Sequence, residues 1–262
     1  MNSSGCRPQS CGTTGPRGIC LPMATSSEAG LRHLAVIPAR GGSKRLPRKN
    51  VIDFFGKPIL AYTIAAVQAA GLFHRILVST ENAEIARVAR DYGAEVDTRP
   101  AALGRDEITV TEVCKELLDR LERQGERYDT LTVLYATAPL RSAEDIRATH
   151  ALLERGRCDF AMAVTEFQQA MHQALRGDVE GKLTPVFPEM VSRRAEAAGR
   201  FFAGNGSTYS VDVSAFLRER GFYGQPLRGH VMPPERSVDI DTAADLDLAR
   251  YYGDCLGFAP NR

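Results

Sequence analysis

Residues 40–50 read RGGSKRLPRKN, with five cations (Arg40, Lys44, Arg45, Arg48, Lys49), two glycines and no acid in eleven positions. The run follows the apolar stretch LAVIPA. A glycine turn between a strand and a helix bares backbone N–H groups, which makes an anion site. Arginine forks a pair of oxygens and lysine acts as a point charge, so the set suits a polyphosphate. The pattern is neither GxxxxGK[ST] nor GxGxxG, so the two common nucleotide loops are excluded. The competing role is a solvated basic loop able to touch nucleic acid. A second chemical candidate is SVDID, where Asp239 and Asp241 stand two apart. An extended backbone sends both carboxylates the same way. Two hard carboxylates together with substrate phosphates suit Mg²⁺ or Mn²⁺. The competing role for Asp241 is to cap the helix that starts in TAADLDLA.

These residues need a frame. HLAVIPA (33–39), RILVST (75–80), DTLTVLYA (129–136) and DFAMAVTEF (159–167) are apolar runs of strand length, with a further short strand at AEV. Between them KPILAYTIAAVQAAG (57–71), AEIARVARDYG (83–93), VTEVCKELLDRLERQ (110–124) and SAEDIRATHALLERG (142–156) carry helical spacing. Gly71 and Gly93 suit helix ends, and Ser142 suits an N-cap. Strands alternating with helices of this length predict a doubly wound, Rossmann-like α/β fold with a mostly parallel sheet. The alternation breaks near 168–200, which predicts an insertion of irregular structure and short hairpins. STYSVDV, GHVMPP and SVDIDT then read as a strand, an edge strand and a strand end, with helices at SAFLRERG and AADLDLARYYG. The domain spans 31–255, leaving 256–262 as a C-terminal tail.

Composition narrows the function. Lys+Arg number 33 against 32 Asp+Glu, a net charge of +1, so the basic loop is a local device. A duplex-binding face needs a basic excess, and no nucleic-acid partner is expected. No run approaches the ~18 apolar residues of a membrane helix, so no membrane association is expected. The six cysteines form no CxxC and the five histidines are scattered, which argues against zinc. The body of the chain reads as a reduced, cytoplasmic enzyme. Residues 1–30 are rich in Gly, Ser, Thr and Pro and lack an apolar h-region, so they read as a disordered tail and not a signal peptide. Met23 is an alternative start to Met1.

IPARGGSKRLPRKN resembles the nucleotide-binding signature of the acylneuraminate cytidylyltransferases, the family of CMP-sialic acid and pseudaminic acid cytidylyltransferases. LVSTEN, YGAEVDTRP, YATAPLRSAEDI, NGSTYSV and SVDIDTAADLDLA match further family segments in order, and together they span residues 34–250. The resemblance implies transfer of CMP from CTP to the hydroxyl of a nonulosonic sugar acid, with release of pyrophosphate. It implies that Arg40, Ser43 and Lys44, with the Gly41–Gly42 backbone, grip the phosphates, and that Asn50 and Arg99 contact the cytidine. Arg40, Lys44 and Asp241 become the catalytic set, with Asp239 and Asp241 as metal ligands. Tyr135, Thr137, Asn205 and Tyr209 line the acceptor side, and Arg194, favoured over Arg193, meets the sugar carboxylate. Arg45 and Arg48 are open between ligand and solvent. Where CMP-sialic acid synthetases commonly carry Gln-x-Thr-Ser-Pro, this chain has Tyr135-Ala136-Thr137-Ala138-Pro139, so a plain sialic acid acceptor is in doubt. YATAP and FPEMVSRR lean to the pseudaminic branch, and GNGSTYSV to the sialic branch. Acceptors kept as alternatives are 3-deoxy-manno-octulosonic acid and a phosphonate. The family commonly pairs through its insertion, so a homodimer through Val186, Phe187, Met190, Phe201 and Phe202 is expected, against a small core beneath the hairpin.

Overall fold

A computed structural model describes residues 30–258. The N-terminal tail up to residue 29, the choice between Met1 and Met23, and residues 259–262 lie outside the described residues. In chain order the elements begin with β1 (His33–Pro38), β2 (Asp53–Phe54), β3 (Lys57–Pro58), α1 (Ile59–Ala70), β4 (Arg75–Thr80) and α2 (Ala83–Asp91). Next come β5 (Glu95–Thr98), α3 (Val110–Arg123), β6 (Thr130–Leu134), α4 (Ala143–His150) and β7 (Phe160–Glu166). The remainder is β8 (Leu175–Gly177), β9 (Leu183–Pro185), α5 (Ala195–Ala198), β10 (Phe202–Asp212), α6 (Val213–Glu219), β11 (Leu227–Val231) and α7 (Ala243–Cys255).

Seven strands form one sheet in the order β11-β7-β10-β6-β1-β4-β5. All run parallel except β10, which is antiparallel to both β6 and β7. Alternate residues of β1 feed opposite faces: Leu34 and Val36 pack with Leu117 and Leu121 of α3, while Ala35 and Ile37 pack with Leu60 and Ile64 of α1. The chain lays β4 and β5 on one side of β1, then returns to place β6 on the other. The carboxyl ends of β1 and β6 therefore flank a topological switch, where open α/β sheets take ligands.

Local chemistry fixes most helix ends. Gly71 closes α1 in the left-handed region at φ 67, and its N–H bonds Gln68 O. Asn82 caps α2 by accepting from the N–H groups of Glu84 and Ile85. Thr109/Glu112, Ser142/Asp145 and Thr242/Asp245 form reciprocal capping boxes at α3, α4 and α7, each contributing on the order of 1 kcal/mol.

The sequence reading needs three corrections here. α4 ends at His150, well short of 156, because Leu152 and Leu153 turn back on Thr149 and His150 and the chain then pairs Glu154 with Cys158. SVDIDT joins no strand; Ser237 Oγ bonds Pro233 O, and Ile240 N–H reaches Thr137 O at 2.8 Å. The glycine turn after β1 meets no α-helix, since Lys49–Val51 is a single 3₁₀ turn followed by the β2–β3 hairpin.

Residues 168–200 hold the β8–β9 hairpin, turning through Gly181 at φ 82, and the short α5. The segment leaves and rejoins the sheet at one point. Phe167 N–H bonds Phe201 O at 3.0 Å, and Arg200 pairs with Glu166.

Candidate functional site

The basic loop is held from beneath. Glu81 and Asn82 join β4 to α2, and Glu81 Oε1 accepts the Gly41 N–H at 2.7 Å. Arg99, at the end of β5, clamps Glu81 Oε2 through Nε and Nη2 at 2.9 and 2.8 Å. Burial raises the Glu81 carboxyl, but the Gly41 amide and Arg99 outweigh it and leave it below its ordinary range. A Cβ on Gly41 would strike the Asn82 side chain, its Cβ at 3.0 Å, so glycine is required by close packing against the α2 cap. Asn50 is buried and its Nδ2 donates to Arg40 O at 2.9 Å. Asn50 and Arg99, expected at the cytidine, are thus a buried layer under the phosphate loop. The Gly41 amide is already engaged by Glu81, which corrects the expectation of a bare N–H group there, and the Ser43 amide bonds Gly41 O.

The loop's cations have acidic partners from distant segments. Arg40 and Lys44 both grip Asp106, in the turn after β5. Arg48 sits at φ 56, a left-handed conformation rare for a side-chain-bearing residue, and pairs with Glu84. Arg45 and Lys49 each hold one oxygen of Asp241, at 2.6 Å. An open cleft of about 560 Å³ lies along Gly41, Gly42, Ser43, Lys44 and the 104–107 turn.

The loop's other partner is the acidic segment before α7, reached through Arg45 and Lys49. Thr242, not Asp241, caps that helix, which leaves the Asp241 carboxylate for Lys49 and Arg45. Burial works against ionisation of Asp241, yet Lys49 and Arg45 together hold it below its ordinary range. Asp239 accepts from Thr137 Oγ1 at 2.5 Å. Burial pushes this carboxyl up; Asp241's charge adds to that, while the Thr137 bond, Lys49 and Arg141 oppose it. Two carboxylates repelling in a partly desolvated site are arranged for a cation. Among the described residues no group of three or more His, Cys, Asp or Glu side chains is placed to hold a metal. The donor set is therefore this pair, which fits a hard ion that keeps waters and borrows phosphate oxygens.

β10 buttresses the acidic segment. Its pairing with β7 slips register between Gly204 and Tyr209, and the bulge presents Asn205, Gly206 and Ser207. Gly206 stands at φ 69, and a Cβ there would run into Asp239, whose Cγ would lie only 2.7 Å away. Asn205 donates to Ser237 Oγ at 3.0 Å. The segment's outer end is tied to a buried carboxylate, Asp145, which takes Arg236 at 2.9 and 3.0 Å and His230 at 3.1 Å. Burial would raise Asp145, but Arg236, the Ser142 amide and His230 bring it down to about 2.

Beyond the bulge lies a pocket of about 470 Å³ whose lining includes Val110, Thr111, Tyr135, Tyr209, Phe222 and Tyr223. The Tyr135 and Tyr209 rings stand 5.7 Å apart. Burial pushes Tyr135 up to about 12, so its hydroxyl stays protonated as a donor. Of the acceptor-side residues, Tyr135 and Tyr209 share this pocket and Thr137 and Asn205 serve the acidic segment. Arg194 does not join them: it is exposed at the start of α5, on the insertion.

Four participants escaped sequence reasoning. Glu81 and Asp106 have no motif of their own, although Glu81 lies inside LVSTEN. Tyr223 follows α6 and its neighbours carry no signal. Arg141 is 3% exposed, donates to Ser207 Oγ and Tyr135 O, and keeps Nη1 without a partner. Burial drops its guanidinium to about 9, with Asp239 and Asp145 opposing, so at neutral pH it remains a buried cation behind Asp239.

Comparison with known proteins places the family and the fold. A family model described as cytidylyltransferase matches residues 34–174. The pseudaminic acid cytidylyltransferase of Campylobacter jejuni is 31% identical over 221 residues, covering 84% of this chain and 95% of that protein. The CMP-N,N'-diacetyllegionaminic acid synthase of Legionella pneumophila is 32% identical over 223 residues, covering 83% and 94%. Among solved structures, a CMP:2-keto-3-deoxy-manno-octonic acid synthetase complexed with CTP has a TM-score of 0.63 over 86% of this chain and 99% of that one. At 17% identity that likeness speaks for the fold alone. With a family model matched over residues 34–174 and relatives 31–32% identical over most of both chains, the chain belongs to the cytidylyltransferase family.

Proposed function

We propose that this protein transfers CMP from CTP to the hydroxyl of a nonulosonic acid of the pseudaminic or legionaminic type and releases pyrophosphate. The observation that carries the reading is the meeting of loop and acidic segment, where Lys49 and Arg45 hold Asp241 while Lys44 lines a cleft on the same loop and Arg40 reaches Asp106 in its wall. That arrangement supplies positive charge for a triphosphate and carboxylates for its metal on one loop and the segment paired with it. Arg40, Lys44 and Ser43 bind the phosphates, and Gly41 and Gly42 let the backbone approach. Asp239 and Asp241 hold Mg²⁺, or Mn²⁺ in its place, which when bound neutralises phosphate charge. Asn50 and Arg99 set the floor on which the cytidine rests.

The acceptor enters over Tyr135 and Tyr209. An aromatic, hydroxyl-bearing pocket suits an acylated sugar better than a bare 3-deoxy acid, so 3-deoxy-manno-octulosonic acid and phosphonates are disfavoured. Arg194 meets the acceptor carboxylate only if a second copy brings its insertion across. Phe202 and Val186 are 39% and 37% exposed, which supports a homodimer through this segment, while the Phe187 and Phe201 rings, 5.8 Å apart within the chain, belong to a small core beneath the hairpin. No described helix is long and apolar enough to cross a membrane.

The test is pyrophosphate release from CTP, UTP, ATP and GTP against pseudaminic, legionaminic and N-acetylneuraminic acids, 3-deoxy-manno-octulosonic acid and a phosphonate. The reading requires release with CTP and a nonulosonic acid. Equal use of the four nucleotides, or turnover confined to the last two acceptors, overturns it.

A further inference from the structure

Lys44 lines the cleft, and neither it nor Arg40 stands unopposed. Arg40 Nη1 holds Asp106 Oδ1, and Lys44 Nζ holds Asp106 Oδ2. One carboxylate thus bridges two cations through separate oxygens, as a phosphate would. Lys44 is 82% exposed and Asp106 37%, so the contact contributes little to stability. Its placement is what matters. The turn that carries Asp106 packs against Glu81, where a Cβ on Gly104 would crowd Glu81 Cγ at 2.9 Å. Glu81 in turn holds Gly41, so the competitor and the loop share one support.

We propose that Asp106 is a built-in competitor for the phosphate-binding cations, yielding to the triphosphate and returning to Arg40 and Lys44 as pyrophosphate leaves. The proposal rests on the phosphate-loop reading above. A terminal phosphate brings more charge and more oxygens than a carboxylate, so the triphosphate displaces Asp106. After transfer the remaining anion lacks the cytidine and its contacts, and a tethered carboxylate competes with it at high local concentration. No bond is made or broken in this exchange. A competitor that blocks the cations for part of the time weakens every anion that needs them in proportion. Lys44 drives Asp106 below its ordinary range, with Arg40 adding to it, so the competitor is ionised at neutral pH.

The experiment titrates wild type, Asp106→Asn and Asp106→Ala with inorganic tripolyphosphate and pyrophosphate by calorimetry, without metal, at low and high salt. Both variants should bind both anions about fivefold more tightly at low salt. The gain should shrink at ~1 M salt, where the screening length is about 3 Å. Pyrophosphate should also inhibit variant turnover at lower concentration. A merely structural Asp106 would give weaker binding, because damage to a loop does not raise its affinity. Unchanged or weaker binding in the isosteric Asn variant overturns the proposal. Asp106→Ala guards against a special effect of the amide. CTP turnover measured alongside separates the two ideas: a wild type that makes no CMP product sinks the proposed reaction, while a gain in tripolyphosphate affinity still establishes the competitor.

Discussion

Gly206→Ala tests the link between the β10 bulge and the acidic pair without altering any charge. The methyl would meet the Asp239 carboxylate, with Cγ at 2.7 Å and Cβ at 3.1 Å. Carbon contacts relax near 3.5 Å, so Asp239 must retreat by roughly 1 Å. Its 2.5 Å bond from Thr137 does not survive that movement. A misplacement of about 1 Å at a reacting site costs on the order of 10²-fold in rate. Left-handed backbone at φ 69 adds about 1–2 kcal/mol of destabilisation, a fall in melting temperature of roughly 2–8 °C for a chain of this size. Gly125→Ala is the control, since its φ of 83 carries the same backbone strain and its Cβ meets nothing within 4 Å. Pyrophosphate release and thermal unfolding are measured on both. The expected pattern is similar melting losses and a rate loss in Gly206→Ala alone. Activity of Gly206→Ala within about threefold of wild type, or an equal rate loss in Gly125→Ala, would refute the reasoning.

Lys44→Ala should lower CTP turnover by roughly 10²–10³-fold with an unchanged circular dichroism spectrum, and near-normal rate at saturating CTP removes Lys44 from the site. Asp241→Asn and Asp239→Asn should both lose activity, Asp241→Asn more severely, and EDTA should abolish wild-type turnover until Mg²⁺ or Mn²⁺ is restored; activity persisting in EDTA rules the metal out. Burial, with help from His33, lowers His150 to about 4. The unfolded chain therefore takes up that proton first as pH falls, so stability is full above about 6.5 and declines toward 4, by up to about 3 kcal/mol. Urea midpoints at pH 7 and 4.5 should differ less in His150→Gln than in wild type, and an identical pH slope contradicts the assignment.

The sequence made short-range features plain. RILVST is β4 residue for residue, Gly71 closes α1, and Ser142 caps α4, because each is decided by side chains within a turn of its own backbone. The basic loop was visible for the same reason. What lay hidden was the answer to its charge. Arg45 and Asp241 are 196 residues apart, and Arg40 and Asp106 are 66. Only the sheet order brings them together, and no periodicity reports it. Gly206 meets Asp239, 33 residues on in sequence, because a bulge in β10 redirects the chain, and no local pattern reports that contact. The end of α4 was misjudged since the helical spacing continues after the backbone has turned away to pair Glu154.

The join between Phe167 and Phe201 has an evolutionary consequence. The two ends of the insertion meet where Phe167 N–H bonds Phe201 O, beside the Arg200–Glu166 pair, so the excursion is closed at the strand ends from which it leaves. Lengthening or shortening such a closed excursion changes its closure entropy slowly, by about 0.6 kcal/mol per doubling. The segment is therefore a cassette, free to drift or be exchanged between relatives while the catalytic sheet keeps its geometry. A graft of a relative's segment between these two residues should preserve CTP binding and change acceptor choice or subunit pairing instead.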